Sequence, residues 1–334
     1  MKPGKLSQTI WRRSVLKQLH TDNDAMLLYP SAGEMCTAMQ ISEELAFAGA
    51  SAAASGNSVY VGTYAVAKAL NDLATRGVEP RGVSLQLLLP ETVEEPELKE
   101  MIRQLEVLSE QTAIPIAGIQ VEVNSIVSAA VVVANAFGNG TPQSVLRPAD
   151  AGPGQDIVLC GYVGLEGMLR ILDEKETELS GRFVPAFLHQ MKQLRSELVK
   201  LDAIRTASTC HVTAMQQIGS GGIFAALWET AEAADVGLKI ELAKISVKQE
   251  TIEVCEFYHL NPYQMTSTGA VLLITEDGDA LVEALEKSGA RASRIGVTTA
   301  ENARVITSGE EQRFLDRPAP DEWIRWHKET GGLE

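Results

Sequence analysis

An asparagine–aspartate pair, Asn71-Asp72, stands at the edge of an amphipathic segment and is well suited to bind a cation or a polar ligand. The apolar positions of this segment recur with a helical period. They are Ala65, Val66, Ala69, Leu70, Leu73 and Ala74. Gly77 and Pro80 then end the helix, which is predicted to span residues 63–76. The apolar stripe would pack on a sheet and leave the pair at its border, although an Asn and an Asp in that position are also typical of a solvated helix surface.

A glycine turn, Gly219-Ser220-Gly221-Gly222, precedes a second helical segment, predicted over residues 223–234. Backbone N–H groups at a helix N-terminus bind phosphate without any charged side chain. The same glycines are equally compatible with a helix start packed on a neighbouring element, because a tight turn needs positive φ whether or not phosphate binds. Both interpretations stay open from the sequence.

Five stretches in order along almost the whole chain resemble the AIR-synthase-related superfamily, and most of all its hydrogenase-maturation carbamoyl dehydratase branch. They are residues 1–6 (MKPGKL), the Asn71-Asp72 helix with its Gly-x-x-Pro end, residues 85–90 (LQLLLP), residues 154–161 (GQDIVLCG) with 164–167 (GLEG), and Gly221-Gly222 followed by Leu227 and Glu229. The resemblance implies an α/β (α+β) fold of two domains. Residues 1–150 would form a nucleotide-binding domain whose sheet pairs in a homodimer, residues 151–312 a C-terminal α/β domain, and residues 313–334 a tail.

The resemblance further implies that ATP lies between the domains, with Mg²⁺ on its phosphates held by aspartates. At the first such position the turn keeps Gly33, but Met35 stands where the aspartate is expected. Glu34 beside it is a candidate replacement ligand. Asn71-Asp72 is the position that matches in full.

The other family positions depart from the pattern. Glu43 and Glu44 stand near the place of a Thr-Asp pair, a third turn keeps Gly118 without its acid, and the final motif begins with Gln217 instead of aspartate. Losing several carboxylates should weaken Mg²⁺ binding greatly. The candidate nucleotide contacts are therefore Gly33, Asn71, Gly118, Gly219, Ser220, Gly221 and Gly222, and the candidate metal ligands are Asp72, Glu34, Glu43 and Glu44.

The composition restricts the class of partner. The 334 residues include 29 Lys and Arg against 44 Asp and Glu, a formal net charge of −15. A strongly acidic surface argues against nucleic acid or an anionic membrane as partner. No apolar run is long enough for a membrane span and the first residues lack a signal-peptide apolar region, so we expect a cytoplasmic protein.

The cysteines do not form a metal-binding or disulfide pattern. Cys36, Cys160, Cys210 and Cys255 are widely separated. Cys36 and Cys160 lie in apolar segments and are predicted to be buried thiols. The resembling carbamoyl dehydratases act through a C-terminal cysteine, whereas the last cysteine here is Cys255, so that reaction is not expected in its known form.

The element pattern alternates helices and strands. Residues 46–57 (AFAGASAAASGN) are low in complexity and are predicted to be a flexible loop or a tightly packed turn. Residues 138–154 are rich in Gly and Pro and mark the domain boundary. The tail, with two tryptophans, is expected to pack on the surface or on a partner chain.

Two functional hypotheses follow with equal weight. The first is an enzyme that binds ATP or a related nucleotide between its domains and activates an oxygen of an unidentified substrate, with Mg²⁺ bound weakly. The second is a non-catalytic paralogue, either a nucleotide sensor or a partner of a metallocentre-assembly protein. The missing aspartates favour the second, and Asn71-Asp72 with the glycine turns favours the first.

Overall fold

The computed structural model describes residues 5–20, 23–31 and 33–330. Residues 1–4 of the first resembling stretch lie outside the described residues. Two separate β-sheets with packed helices confirm the predicted mixed α/β architecture. The first sheet ends at Gly140 and the second begins at Asp156, on either side of the Gly- and Pro-rich segment.

Six strands form the first sheet in the order β1-β2-β3-β6-β4-β5. They are β1 (Met26–Leu28), β2 (Cys36–Gln40), β3 (Ala46–Gly56), β4 (Glu79–Leu89), β5 (Ile116–Val123) and β6 (Ala130–Gly140). Neighbouring strands are antiparallel except β4 and β5, which are parallel. A short helix α1 (Gln8–Ser14) precedes the sheet.

Helices α2 (Val61–Ala74) and α3 (Glu95–Thr112) belong to this domain. Helix α2 carries a broad apolar surface, and nearly all of its residues are buried. It ends before Gly77, whose φ is +69° and where a Cβ would lie 2.2 Å from the carbonyl oxygen of Ser144, so only glycine fits. At the start of helix α3 the Glu97 carboxylate accepts from the backbone N–H of Glu94, and Pro96 stands in the first turn.

Seven strands form the second sheet in the order β13-β12-β9-β11-β7-β10-β8, antiparallel except for the β9–β12 pair. They are β7 (Asp156–Cys160), β8 (Val212–Gln217), β9 (Gly237–Glu241), β10 (Val271–Thr275), β11 (Ala292–Thr299), β12 (Arg304–Ser308) and β13 (Glu311–Phe314). The helices are α4 (Leu165–Ser180), α5 (Pro185–Gln193), α6 (Leu201–Ser208), α7 (Gly222–Ala234), α8 (Gln249–Phe257) and α9 (Gly278–Lys287). Helix α7 packs on one face of this sheet and helices α6 and α9 on the other, while α4, α5 and α8 share a core with α2. The two domains are therefore joined through α2.

The prediction of a loop or turn over residues 46–57 is wrong, because residues 46–56 form the long strand β3. Ala46, Ala48 and Ala50 are buried, and every residue of β3 pairs with β6. Small side chains let helix α2 approach the sheet closely, since no bulky group intervenes. Low complexity here reflects close packing within a sheet.

The tail forms a further helix, α10 (Glu322–Glu329), that packs on its own chain. Trp323 and Trp326 are buried in the core that contains α2 and α4. The predicted boundary at residue 312 falls inside β13, which pairs with β12. In the described part of the chain, no helix combines the length and the apolar character that a membrane span requires.

Candidate functional site

Lys68 and Asp72 lie four residues apart on one face of α2, and Arg76 follows in the turn after the helix ends. Residues at this spacing lie on the same side of a helix. The side chains of these three residues are directed toward the second domain and toward the loop before β2, and both regions supply their partners. The site is therefore built between the domains, around the helix that the sequence singled out.

Gln217, at the end of β8, binds the Asn71-Asp72 pair. Its Nε2 donates to Asp72 Oδ1 at 2.8 Å and to the backbone oxygen of Lys68 at 3.1 Å. Its Oε1 accepts from Asn71 Nδ2 at 2.8 Å. The amide thus stands at the position where the family resemblance implies a carboxylate.

Asn71 is fully buried and connects the two domains. Its Nδ2 also donates to the carbonyl oxygen of Leu198 at 2.8 Å, and its Oδ1 accepts from the backbone N–H of Lys200 at 2.9 Å. With these bonds and the one to Gln217, both ends of the amide have protein partners. Asn71 is a structural link in this chain, with no group directed at a ligand.

Glu34 and Arg76 form a buried ion pair beside Asp72. The Arg76 Nε lies 2.9 Å and 3.2 Å from the two carboxylate oxygens of Glu34, and the side chains are only 2% and 3% exposed. Arg76 Nη1 donates to the backbone oxygen of Met215 at 2.9 Å. The Glu34 carboxylate also accepts from the backbone N–H of Cys36 at 2.8 Å, and the Cys36 thiol donates to the backbone oxygen of Asp72 at 3.3 Å.

Lys68 is paired with Glu166 of α4, a fully buried residue that sequence reasoning missed as a site residue. The Lys68 Nζ lies 2.6 Å and the Arg170 Nη1 3.4 Å from Glu166 Oε1. The hydroxyls of Thr266 and Thr268 donate to Oε2, each at 2.7 Å. In the sequence, Glu166 stood out only as part of the segment GLEG, which indicated the fold and not a site residue.

The charged side chains described above form one inter-domain cluster with equal numbers of positive and negative charges. Lys68, Arg76 and Arg170 are the cations, and Glu34, Asp72 and Glu166 are the anions. Burial raises the pKa of Asp72 to about 6, against the Gln217 hydrogen bond and the charges of Arg76 and Lys68 that lower it. For Glu166, burial also raises the pKa, but the Lys68 and Arg170 charges prevail and lower it to about 2. Burial raises the pKa of the Cys36 thiol, which therefore stays protonated at neutral pH and is a poor nucleophile.

The glycine turn leads into α7 as predicted, but a protein carboxylate already binds it. The Asp321 Oδ2 accepts from the backbone N–H of Gly221 at 2.6 Å, while its Oδ1 caps α10 at the N–H of Trp323. At Gly222, φ is +68° and a Cβ would lie 2.4 Å from the carbonyl oxygen of Tyr263. Gly222 is thus required by local packing, in line with the second interpretation of the turn, whereas a Cβ at Gly219 would meet nothing within 4 Å.

A cavity of about 780 Å³ adjoins the turn. It lies between the N-terminal arm, the first turns of α7 and the segment before α10, and Ser220 and Gly221 are among its lining residues. Lys5 of the arm pairs with Glu229 at 2.6 Å, and Glu229 also accepts from Gln216. The volume is that of a small-molecule pocket.

The remaining predicted site residues are distributed unevenly. Gly33 belongs to the cluster, since its carbonyl oxygen lies 3.5 Å from Arg76 Nη2. Glu43 and Glu44 are exposed at the tip of the β2–β3 hairpin. Cys36 begins β2 and the two glutamates follow its other end, so they lie more than ~13 Å from Cys36 along the strand. Gly118 lies on β5, four strands from β2 and thus ~19 Å away.

The residues between the domains do not fit a Mg²⁺ ion. Mg²⁺ requires near-octahedral oxygen ligands. Glu34 is bound by Arg76, Asp72 is bound by Gln217, and Met35 is half exposed beside a groove on the sheet surface. Among the residues that the structure describes, no three His, Cys, Asp or Glu side chains converge on a point where a metal ion would sit.

Comparisons with known proteins agree with the fold and the order of its domains. The sequence is 25% identical over 266 residues to a protein of Methanocaldococcus jannaschii named for hydrogenase expression and formation, covering 78% of this chain and 77% of that one. It is 27% identical over 267 residues to carbamoyl dehydratase HypE of Rhizobium leguminosarum bv. viciae, covering 77% and 74%. The solved structure of hydrogenase maturation protein HypE in complex with ATP has the same fold, with a TM-score of 0.67 at 17% identity over 97% of this chain and 98% of that one.

The family assignment rests on both domains. Residues 22–139 match the family described as AIR synthase related protein, N-terminal domain, and residues 152–308 match the corresponding C-terminal domain. The two matches follow one another in the family's order and together span most of the sequence. The chain therefore belongs to the AIR synthase related family.

Proposed function

We propose that this chain is a non-catalytic member of its family, which binds ATP or a related nucleotide and acts as a sensor or partner in metallocentre assembly. The observation that carries the proposal is the state of the carboxylates between the domains. Glu34, Asp72 and Glu166 all bind protein donors. Phosphoryl transfer depends on a metal ion and positioned positive charge at the phosphates, and these carboxylates are not free to hold the ion.

Nucleotide binding is supported by the fold and by the cavity at the glycine turn. A solved relative with this fold is described in complex with ATP. The cavity is large enough for a nucleotide-sized ligand, and Ser220 and Gly221 line it together with the half-exposed cations Lys5 and Arg12. A phosphate would compete there with Asp321 for the Gly221 N–H.

Calorimetric titration with ATP, in EDTA and in excess Mg²⁺, tests the proposal. We expect equal affinity in the two buffers and no release of phosphate over hours. Magnesium-dependent turnover by the unmodified chain would refute the non-catalytic assignment. Absence of ATP binding in both buffers would refute the nucleotide part alone.

A second candidate function is the enzymatic one, in which an oxygen of an unidentified substrate is activated. One observation favours it: the pKa of Asp72 is raised to about 6, in the range where a carboxyl group exchanges protons near neutral pH. The neighbouring Lys68 would then contribute positive charge. The same turnover assay separates the two candidates, since only this one predicts product.

We further propose that the chain is a homodimer through its first sheet. The edge strand β5 is largely exposed, and Ile119, Val121 and Val123 are each more than 40% exposed. An uncovered apolar edge favours pairing with another strand.

Light scattering tests the dimer. We expect twice the chain mass at micromolar concentration, and a monomer for Val121→Lys, which places a charge on the edge strand. An unmodified chain that scatters as a monomer would refute the proposal.

Partnership with a metallocentre-assembly protein is supported by a solved structure of the same fold that is described as a HypE–HypF complex. Co-elution with a purified metallocentre-maturation protein in size-exclusion chromatography would support it. Separate elution at micromolar concentration would count against it. The acidic surface and the charge of −15 argue against nucleic acid as the partner.

A further inference from the structure

We propose that the guanidinium of Arg76 is a built-in cation that takes the place of a divalent metal ion between the domains. The site would then take up no Mg²⁺. The inference deepens the proposed function, because it names the group that excludes the metal. Metal binding by the chain alone is meant, so the test is carried out without nucleotide.

The first support is the geometry of Arg76. Its side chain is almost fully buried, and its Nε contacts both oxygens of Glu34 at 2.9 Å and 3.2 Å. Its Nη1 donates to the Met215 carbonyl oxygen and to the Thr75 hydroxyl. A guanidinium has fixed, planar donor directions and stays charged at any ordinary pH. Arg76 is therefore a permanent positive charge in a defined position.

The second support is the position of this charge relative to both candidate ligands. Glu34 is in direct contact with Arg76, and Asp72 lies four residues before Arg76, in the last turn of α2. Arg76 and Asp72 also affect each other's charge, since Arg76 lowers the pKa of Asp72 and Asp72 raises that of Arg76. A metal ion serving these carboxylates would have to stand close to the guanidinium, where like charges repel.

The third support is the loss of free ligand oxygens. Glu34 divides its carboxylate between Arg76 and the backbone N–H of Cys36. Gln217 presents its amide nitrogen to Asp72, and an N–H group cannot bind a cation. A Mg²⁺ ion would therefore have to break several protein contacts to gain two carboxylates.

Manganese binding provides the test, because Mn²⁺ prefers the same oxygen ligands and is detected by electron paramagnetic resonance. The metal-stripped full chain is titrated with MnCl₂ without nucleotide. We expect no saturable binding up to about 1 mM, a range typical of weak sites. Stoichiometric binding that Asp72→Asn abolishes would overturn the proposal.

Arg76→Gln removes the guanidinium and its repulsion of a metal ion, and it frees Glu34 from its ion pair. Folded Arg76→Gln protein should bind Mn²⁺ at least about tenfold more tightly than the unmodified chain. Arg103→Gln is the matched control, since Arg103 belongs to an exposed ion pair with Glu100, and it should leave Mn²⁺ binding unchanged. No gain in folded Arg76→Gln protein would refute the role assigned to the guanidinium.

Gln217→Asp covers the case in which Arg76→Gln does not fold. It adds a carboxylate beside Asp72 while the guanidinium remains. The proposal then predicts Mn²⁺ affinity within about threefold of the unmodified chain. A gain of about tenfold or more would overturn it, because Arg76 would not be excluding the ion.

Discussion

The buried carboxylate of Glu166 allows the energetics of the inter-domain cluster to be tested directly. Glu166→Gln preserves the size of the side chain but removes its charge, so Lys68 and Arg170 lose their common partner. The amide also presents an N–H group to one of the threonine hydroxyls that now donate to the carboxylate, Thr266 or Thr268. Breaking a buried ion pair at one partner typically costs about 3–5 kcal/mol of unfolding free energy.

The pKa of Glu166 gives a second estimate. It is lowered from 4.5 to about 2 in the folded chain, and at roughly 1.4 kcal/mol per pH unit this corresponds to about 3 kcal/mol. Because the folded pKa is the lower one, this stability is present above about pH 4.5 and is lost as the pH falls through about 2. The difference between the unmodified chain and Glu166→Gln should therefore be largest at neutral pH and shrink toward pH 2–3.

Urea unfolding followed by tryptophan fluorescence at pH 7, 5 and 3 measures this difference. Glu176→Gln is the matched control, since Glu176 lies on the same helix in an exposed ion pair with Lys192. We expect the control to change the unfolding free energy by less than about 1 kcal/mol at every pH. If Glu166→Gln were no more destabilising than Glu176→Gln at pH 7, the buried charges would not stabilise the domain contact as argued.

Three further predictions concern single positions. Asp72→Asn should raise the melting temperature more at pH 7.5 than at pH 4.5. The pKa of Asp72 is raised from 3.8 to about 6, so the folded chain favours the protonated carboxyl, and its favourable contribution to stability is lost as the pH rises through that value. Gly222→Ala should lower Tm clearly, owing to its φ of +68° and a Cβ 2.4 Å from the Tyr263 oxygen, whereas Gly219→Ala, with nothing within 4 Å, should hardly change it. Trp326→Ala should cost about 3–5 kcal/mol in urea unfolding, since this side chain is 2% exposed in the core; a much smaller loss would show that α10 contributes little to stability.

Elements with strong local signals could be predicted from the sequence. Helix α2, predicted over residues 63–76, spans Val61–Ala74, and helix α7, predicted over residues 223–234, spans Gly222–Ala234. These signals act over a few residues, so a single sequence contains them. Strand β3 could not be predicted, because Ala, Gly and Ser have little strand preference and are held there by pairing with β2 and β6.

The candidate site could be predicted only in part, for a related reason. The sequence indicated Asp72, Glu34 and the glycine turn, which the structure places in or beside one inter-domain region. It did not indicate their partners. Arg76 follows Glu34 by 42 positions, and Gln217 follows Asp72 by 145. Partners so far apart are brought together by the fold alone.

The partners also bear on how the missing aspartates should be interpreted. A metal site that merely lost ligands would leave its remaining carboxylates buried and unpaired, at a cost of several kcal/mol each. Here Glu34 has a guanidinium, Asp72 an amide donor, and the Gly221 N–H, where a phosphate was expected, has the Asp321 carboxylate. Each of these three groups therefore has a protein partner where the family resemblance implies a metal ion or nucleotide. Such replacement stabilises the closed contact between the domains and favours a role that depends on the shape of the chain over one that depends on phosphoryl transfer.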